Sequence, residues 1–298
     1  MSRPVFTLLM NTTSGSFTDE TREQITAAFA RTGLEVRIVA ATGPEIQGAA
    51  EKAASAGDTL VAAGGDGTVS TVAAVAVTSG ATFGVIPLGT LNHFARDAGI
   101  PADVDAAVAT LAAGHAALLD TGELNGRTYV NNASFGFYAR IVRERQLEQR
   151  RGHAKWIALA IGLARAWRRY HQMTVRLTVD GQALARRTPF VFVGNGEYVD
   201  EGAGLGRRTS LTTGQLWISL APECSRGKML MLVLRALAGR LAPDVKLEEF
   251  RAAEVIIEPR AGGSGVAMDG ELVPINPPFR SAIRPRTLKT LLPAAQQP

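Results

Sequence analysis

The stretch Thr59–Ser70, TLVAAGGDGTVS, restricts the fold more than any other part of the chain. It opens as a short apolar run, Leu60-Val61-Ala62-Ala63, of the kind expected for a strand buried on both faces. The run breaks at Gly64-Gly65-Asp66-Gly67-Thr68 and resumes over Val69–Thr78, an apolar segment of helical length. Strand, glycine turn and helix in that order direct backbone N–H groups and a helix N-terminus at an anion. Three glycines in four positions let a phosphate approach with no Cβ in the way. Asp66, the one acid among them, would repel that phosphate unless a metal lies between them or the acid handles a proton. In this strand-to-helix setting the pattern predicts a phosphoryl-transfer site; standing alone it is also the pattern of a plain turn.

Strands and helices alternate around this unit. Val5–Met10 reads as a strand and is followed by a polar loop through Asn11, Ser14 and Gly15. Asp19 caps a helix to about Thr32, with Ile25, Ala28 and Phe29 as its apolar stripe. Leu34–Ala40 is a strand, and Thr42-Gly43-Pro44 opens a helix to about Ala56. Ala81–Pro87 is the next strand, leading through Leu88-Gly89-Thr90 to helices over Asn92–Ala98 and Val104–Ala113. Such alternation predicts a parallel, right-handed, doubly wound sheet with ligands at the carboxyl ends of its strands. The loops at 11–16, 42, 64–68 and 88–92 would then converge on one crevice.

From about Asp120 the pattern changes. Tyr129–Phe137, Met173–Val179, Pro189–Asn195, Leu216–Leu220, Val255–Glu258 and Phe279–Arg284 are strand-like, with helical stretches at about 138–170 and Lys228–Ala238. The expected architecture is α/β with two domains. A nucleotide-binding doubly wound parallel sheet covers 1–120, with the C-terminal tail a candidate last piece, and a β-rich antiparallel domain covers 121–293. The active site is expected in the cleft between them.

Composition excludes several classes. With 46% apolar and 20% charged residues over 298 positions, the chain is that of a soluble globular protein. One cysteine, Cys224, excludes an internal disulfide and fits a reducing compartment. His93, His115, His153 and His171 are scattered without metal-ligand spacing. No signal peptide is visible and no run approaches the roughly 18 apolar residues of a membrane span, so a cytoplasmic protein with at most peripheral membrane contact is expected. The net charge of +5 is local: nine Lys/Arg and two Glu fall between Arg140 and Tyr170.

Two loops together, Gly64-Gly65-Asp66-Gly67-Thr68 and Pro87-Leu88-Gly89-Thr90-Leu91-Asn92-His93-Phe94-Ala95-Arg96, resemble the diacylglycerol kinase catalytic family of bacterial soluble lipid kinases and eukaryotic sphingosine and ceramide kinases. Asn11 with Ser14-Gly15, Asn131-Asn132-Ala133-Ser134-Phe135-Gly136, Gly194-Asn195-Gly196 and Asp269-Gly270-Glu271 extend the resemblance over roughly 3–293. The Gly-Gly-Asp-Gly part alone is shared with NAD kinases and phosphofructokinases. The resemblance implies transfer of the γ-phosphoryl of ATP, with Mg2+ on the nucleotide, to a hydroxyl of a lipid such as diacylglycerol. It implies that Asn11, Thr42, Gly64, Gly65, Asp66, Gly67, Thr68, Val69, Ser70 and Thr90 line the nucleotide. Glu271 would be the proton acceptor, and Asp66 the acid near the transferred group. Where the family has Asp, this chain has His93 and Thr213, and where it has Gly, Leu91. The family's separate metal position near Thr213 is therefore degraded, since a neutral hydroxyl is a poor ligand for a hard cation. His93 could bring a switchable charge to the phosphates or simply cap and pack. A soluble small-molecule kinase and a non-catalytic nucleotide- or lipid-binding homologue are the competing functions.

Ala154–Tyr170, AKWIALAIGLARAWRRY, reads as an amphipathic helix. Trp156, Ile157, Leu159, Ala160, Ile161, Leu163, Ala164 and Trp167 share one broad face, Arg165 and Arg169 point away from it, and Arg168 sits at its edge. It could lie at a lipid surface or pack in a core with solvated arginines. The expected partner is a lipid at a membrane surface, not nucleic acid, since no recognised binding module accompanies the charge; pairing of two copies is left open.

Overall fold

The computed structural model describes residues 5–12, 17–168, 170, 172–199, 206–227, 247–260 and 265–294. The expected helix over Lys228–Ala238 lies outside these residues, as do Ser14, Gly15, Arg169, His171 and the side chain of Trp156. The chain divides into two compact units, one of Met1–Thr121, Ser210–Thr212 and Arg284–Pro298, the other of Gly122–Thr209 and Thr213–Ile283.

The first unit alternates β1 (Phe6–Asn11), α1 (Asp19–Thr32), β2 (Val36–Ala41), α2 (Gly43–Ser55), β3 (Thr59–Gly64), α3 (Asp66–Ser79), β4 (Phe83–Pro87), α4 (His93–Asp97) and α5 (Val104–Ala113). The strands lie parallel in the order β2-β1-β3-β4. All of β3 and β4 is buried, which is why these strands read as continuous apolar runs. The connecting helices pack in pairs, α1 beside α5 and α2 beside α3. The chain leaves β1 towards β2 and returns to β3 on the other side, so the order reverses between the neighbours β1 and β3.

Local chemistry shifts some expected boundaries. Thr18, not Asp19, caps α1: its extended backbone allows its hydroxyl to accept the Thr21 N–H at 3.0 Å, while Asp19 sits in the first turn. The glycine turn is shorter than expected. Gly65 is extended and is the N-cap of α3, the Val69 N–H already donates to the Gly65 carbonyl at 3.1 Å, and Asp66, Gly67 and Thr68 are helical. Asn92 takes a left-handed conformation (φ 48°), which delays α4 to His93.

The second unit begins within β5 (Ala116–Leu124) and continues through β6 (Arg127–Tyr129), β7 (Asn132–Gly136), α6 (Phe137–Arg150), α7 (Lys155–Arg168), β8 (Met173–Val179), β9 (Gln182–Thr188), β10 (Phe190–Asn195), β11 (Leu216–Leu220), β12 (Glu248–Ala252), β13 (Glu254–Pro259), β14 (Val266–Met268) and β15 (Glu271–Val273). β16 (Phe279–Leu291) re-enters the first unit at Arg284. β12-β11-β10-β7-β14-β15 form an antiparallel sheet, and β9, β8, β13 and the start of β16 pair antiparallel as well. Phe135, Val193 and Ile218 from the first set share one core with Leu177, Ile257 and Phe279 from the second.

The expected strand Tyr129–Phe137 is two strands, because the N–H groups at 130–132 turn to a side chain instead of a neighbouring strand. The expected helix over 138–170 is a hairpin of α6 and α7, broken at Gly152 (φ 89°). The inward stripe of α7 is Ala158, Gly162 and Ala166, narrower and smaller than the face expected. A Cβ on Gly162 would stand 2.8 Å from the Arg145 nitrogen of α6, so the two backbones pack closely. Trp167 packs against Phe137 and Tyr170. Arg165 corrects the expectation of a solvated charge: it pairs with the buried Glu148 of α6, which Arg151 and His153 also reach. Burial pushes the Glu148 carboxyl up, but Arg151 and Arg165 together hold it below the usual carboxylate range. Ile157, Ala160, Ala164 and Arg168 form the outer stripe and are exposed. Among the described residues, no helix is long and apolar enough to cross a membrane.

Candidate functional site

In the first unit the registers align the carboxyl ends of the four parallel strands, with Asn11 opposite Ala41, Met10 opposite Ala63 and Gly64 opposite Pro87. Asn11, Thr42, Gly64, Gly65, Asp66 and Thr90 therefore stand along one edge, at the reversal of strand order, where doubly wound sheets hold ligands. The Asn11 side chain lies against the start of α2, its Nδ2 being 3.5 Å from where a Gly43 Cβ would be. Thr42 opens α2, and both its N–H and its hydroxyl donate to Glu45.

The two glycine loops meet backbone to backbone. A Cβ on Gly89 would stand 2.6 Å from the Gly65 Cα and 2.7 Å from Asn92 Oδ1. Asn92 closes its loop by pairing its amide with the Gly89 N–H (2.9 Å) and carbonyl (2.8 Å). Asp66 Oδ1 accepts the His93 N–H at 2.7 Å, joining the start of α3 to the start of α4. Position 93 thus serves Asp66 through its main chain, a role its side chain does not reveal. The N–H groups of Asp66, Gly67 and Thr68 precede the first intrahelical acceptor and so lack partners within α3. Thr68 is buried with its hydroxyl under Gly64, and Val69 is buried with its N–H spent on Gly65, so neither side chain lines the edge. Ser70 is half-buried one turn on, Thr90 is exposed, and Leu91 is 62% exposed.

In the second unit Asp269 and Gly270 have φ of 47° and 82° and turn the β14–β15 hairpin. Asp269 is 8% exposed. Its carboxylate accepts three main-chain N–H groups, from Val130 (2.9 Å), Asn131 (2.8 Å) and Asn132 (3.0 Å). Arg145 donates to the Gly270 carbonyl at 3.1 Å. The turn is thus pinned from two sides, and Glu271 after it is exposed at the head of β15. Asn195 Nδ2 donates to the Val130 carbonyl, and the Tyr198 hydroxyl to that of Asn131. Arg208, which sequence reasoning missed, is buried among them; the only signal was an Arg-Arg pair after a glycine-rich tract. Thr213 is exposed, and its hydroxyl bonds locally to the main chain of Gln215. Among the described residues, no three of His, Cys, Asp and Glu gather as a metal cluster.

The chain matches the family model of the diacylglycerol kinase catalytic domain over residues 5–124 and that of the YegS C-terminal NAD kinase beta sandwich-like domain over 131–292. It is 32% identical over 252 residues to a protein of Pseudomonas aeruginosa named "Probable lipid kinase YegS-like", covering 82% of this chain and 80% of that protein. A protein of the same name from Cronobacter sakazakii is 36% identical over 116 residues, 37% of this chain and 39% of that protein. The fold is shared with the crystal structure of a diacylglycerol kinase from Bacillus anthracis str. Sterne, with a TM-score of 0.71 over 98% of both chains at 19% identity. The two glycine loops and the pinned Asp-Gly-Glu turn are thus features of a chain that belongs to the YegS-like lipid kinase family, with an N-terminal diacylglycerol kinase catalytic domain and a YegS-type C-terminal domain.

Proposed function

We propose that the chain is an ATP-dependent lipid kinase that phosphorylates a hydroxyl of diacylglycerol or a related glycerolipid. The observation that supports this most is the contact between the glycine loops. Gly89 approaches Gly65 so closely that it admits no Cβ without displacement, and the two glycines flank N–H groups at the start of α3 that have no acceptor within the helix. That cradle suits the phosphates of a nucleotide, which Gly64, Gly65, Gly67 and the main chain of Asp66 and Thr68 would hold, with Asn11 and Thr90 along the same edge. Magnesium bound to the nucleotide would offset charge on the phosphates. Glu271 would take the proton as the lipid oxygen bonds to the γ-phosphorus and the bond to the ADP oxygen breaks. Asp66, held by the His93 N–H, would orient the transferred group and its metal. The exposed stripe of Ile157, Ala160, Ala164 and Arg168 would face a membrane that presents the acceptor.

The test is transfer of labelled γ-phosphate from ATP by the purified chain, with and without magnesium. Acceptors would be diacylglycerol, monoacylglycerol, ceramide and sphingosine in anionic vesicles, with NAD as a soluble control, and bound protein would be read by sedimentation. Labelled glycerolipid is expected. Label on NAD alone, or on none of them, would overturn the reading.

A further inference from the structure

We propose that Arg208 is a positioning residue for Glu271, an assignment that rests on the kinase reading above. Arg208 is 6% exposed, and a guanidinium is costly to bury unless its donors are met. Its Nη1 donates to the Val130 carbonyl at 2.6 Å and the Asn195 carbonyl at 3.3 Å, and its Nη2 to Asn131 Oδ1 at 3.0 Å. Its Cζ stands 6.0 Å from the centroid of the Tyr198 ring. Arg208 also pairs through its main chain with Tyr198 in an antiparallel bridge.

The arrangement around one peptide group carries the inference. The carbonyl of Val130 accepts from Arg208, and the N–H of the same peptide, that of Asn131, donates to Asp269. A cation thus holds the oxygen end and an anion the hydrogen end of one planar unit, so the two charges act on each other through its dipole. The next peptide is held alike without the cation: the Asn131 carbonyl accepts from the Tyr198 hydroxyl and the Asn195 N–H, while the Asn132 N–H donates to Asp269. Arg208, sharing the Val130 carbonyl with Asn195 Nδ2, therefore helps to fix the plane in which the carboxylate of Asp269 is gripped. Asp269 begins the left-handed turn whose next exposed carboxylate is Glu271. A general base must meet its proton within a few tenths of an ångström, and a buried charge pair across one peptide specifies orientation in a way an apolar filler would not.

Arg208→Met removes the donor to the Val130 and Asn195 carbonyls and to Asn131 Oδ1, with Asn195 Nδ2 remaining on Val130, and is expected to cost stability, so Arg208→Lys is the decisive variant: one ammonium cannot replace a planar fork. Transfer from ATP to diacylglycerol in mixed vesicles would be measured for wild type, Arg208→Lys, Glu271→Gln and the double variant, at a temperature where all are folded. Arg208→Lys should lower kcat by about 10²-fold, the cost of a misplaced catalytic group, with the KM for ATP nearly unchanged. In the Glu271→Gln background the same change should alter kcat by less than about twofold, because two residues acting as one unit are not additive. An equal loss in both backgrounds, or a loss confined to the KM for ATP, would overturn the positioning role while leaving the kinase reading intact. A wild type without turnover on any lipid would overturn both.

Discussion

Asp66 and Asp269 both stand beside a glycine, and in both the carboxylate accepts main-chain N–H groups, yet the surroundings assign them different work. Asp66 is half-buried on the strand-end edge, and its Oδ1 holds the N–H of His93. Asp269 is buried and accepts three N–H groups, so its capacity is used within the fold. In the proposed kinase, what the second aspartate contributes to chemistry would pass through the turn it pins, to Glu271. An acid in a glycine turn is therefore read by what already occupies its oxygens.

The largest effect that separates the two is on stability. Asp269→Ala would leave three main-chain N–H groups, two of them buried, without this acceptor, and at roughly 1–3 kcal/mol each, partly relieved by relaxation and solvent, the loss should be on the order of 4 kcal/mol. Urea unfolding of Asp269→Ala and Asp66→Ala would check it. Similar losses in the two would erase the comparison.

Next is Glu271→Gln. Because the residue is exposed, its melting temperature should stay within about 1 °C of wild type, while kcat should fall about 10²-fold, near 2.7 kcal/mol. A matching drop in stability would make the hairpin structural throughout.

Gly89→Ala sharpens the other side. Its Cβ would press on Gly65 and Asn92, and overpacking of this kind costs about 1–3 kcal/mol. The expected result is a lowered melting temperature together with a raised KM for ATP. A change in kcat alone would mean that the contact between the loops does not shape the nucleotide edge.

The smallest effect concerns Glu148. Its carboxyl is held below the usual range in the folded chain, so the stability it contributes is present above the ordinary carboxylate value of about 4.3 and is lost as pH falls through the folded value. The protection of α6 and α7 amides, measured against the intrinsic exchange rate at each pH, should therefore fall only in acid, and at a higher pH in Arg165→Gln. Protection independent of pH between 3 and 5, taken as roughly the range around that value, would remove the carboxylate from the account.

The contrast between Asp66 and Asp269 also marks how far the sequence could be read. The strand Thr59–Gly64, the helix over Val104–Ala113 and the strands Met173–Val179 and Leu216–Leu220 were legible because their apolar residues repeat over short distances. Asp66 was legible because its strand and helix adjoin it. The grip of Asp269 was not, since its partners lie 137 to 139 positions away and are main-chain groups, which leave no mark in a side-chain pattern. Arg208 and Val130 are 78 positions apart for the same reason. The hairpin strands Val266–Met268 and Glu271–Val273 are too short to show alternation. Arg165 read as a surface charge because its partner Glu148 is on another helix.

The most direct test is Asp66→Asn, assayed for transfer of the γ-phosphate of ATP to diacylglycerol in vesicles alongside a melting curve. The amide oxygen can still accept the His93 N–H, so the fold should persist with only the charge lost. The account predicts that wild type labels the lipid, that the variant retains less than about a hundredth of that rate, near 2.7 kcal/mol, and that the two melt together. A variant that keeps more than about a tenth of wild-type turnover, a loss below roughly 1.4 kcal/mol, would contradict it.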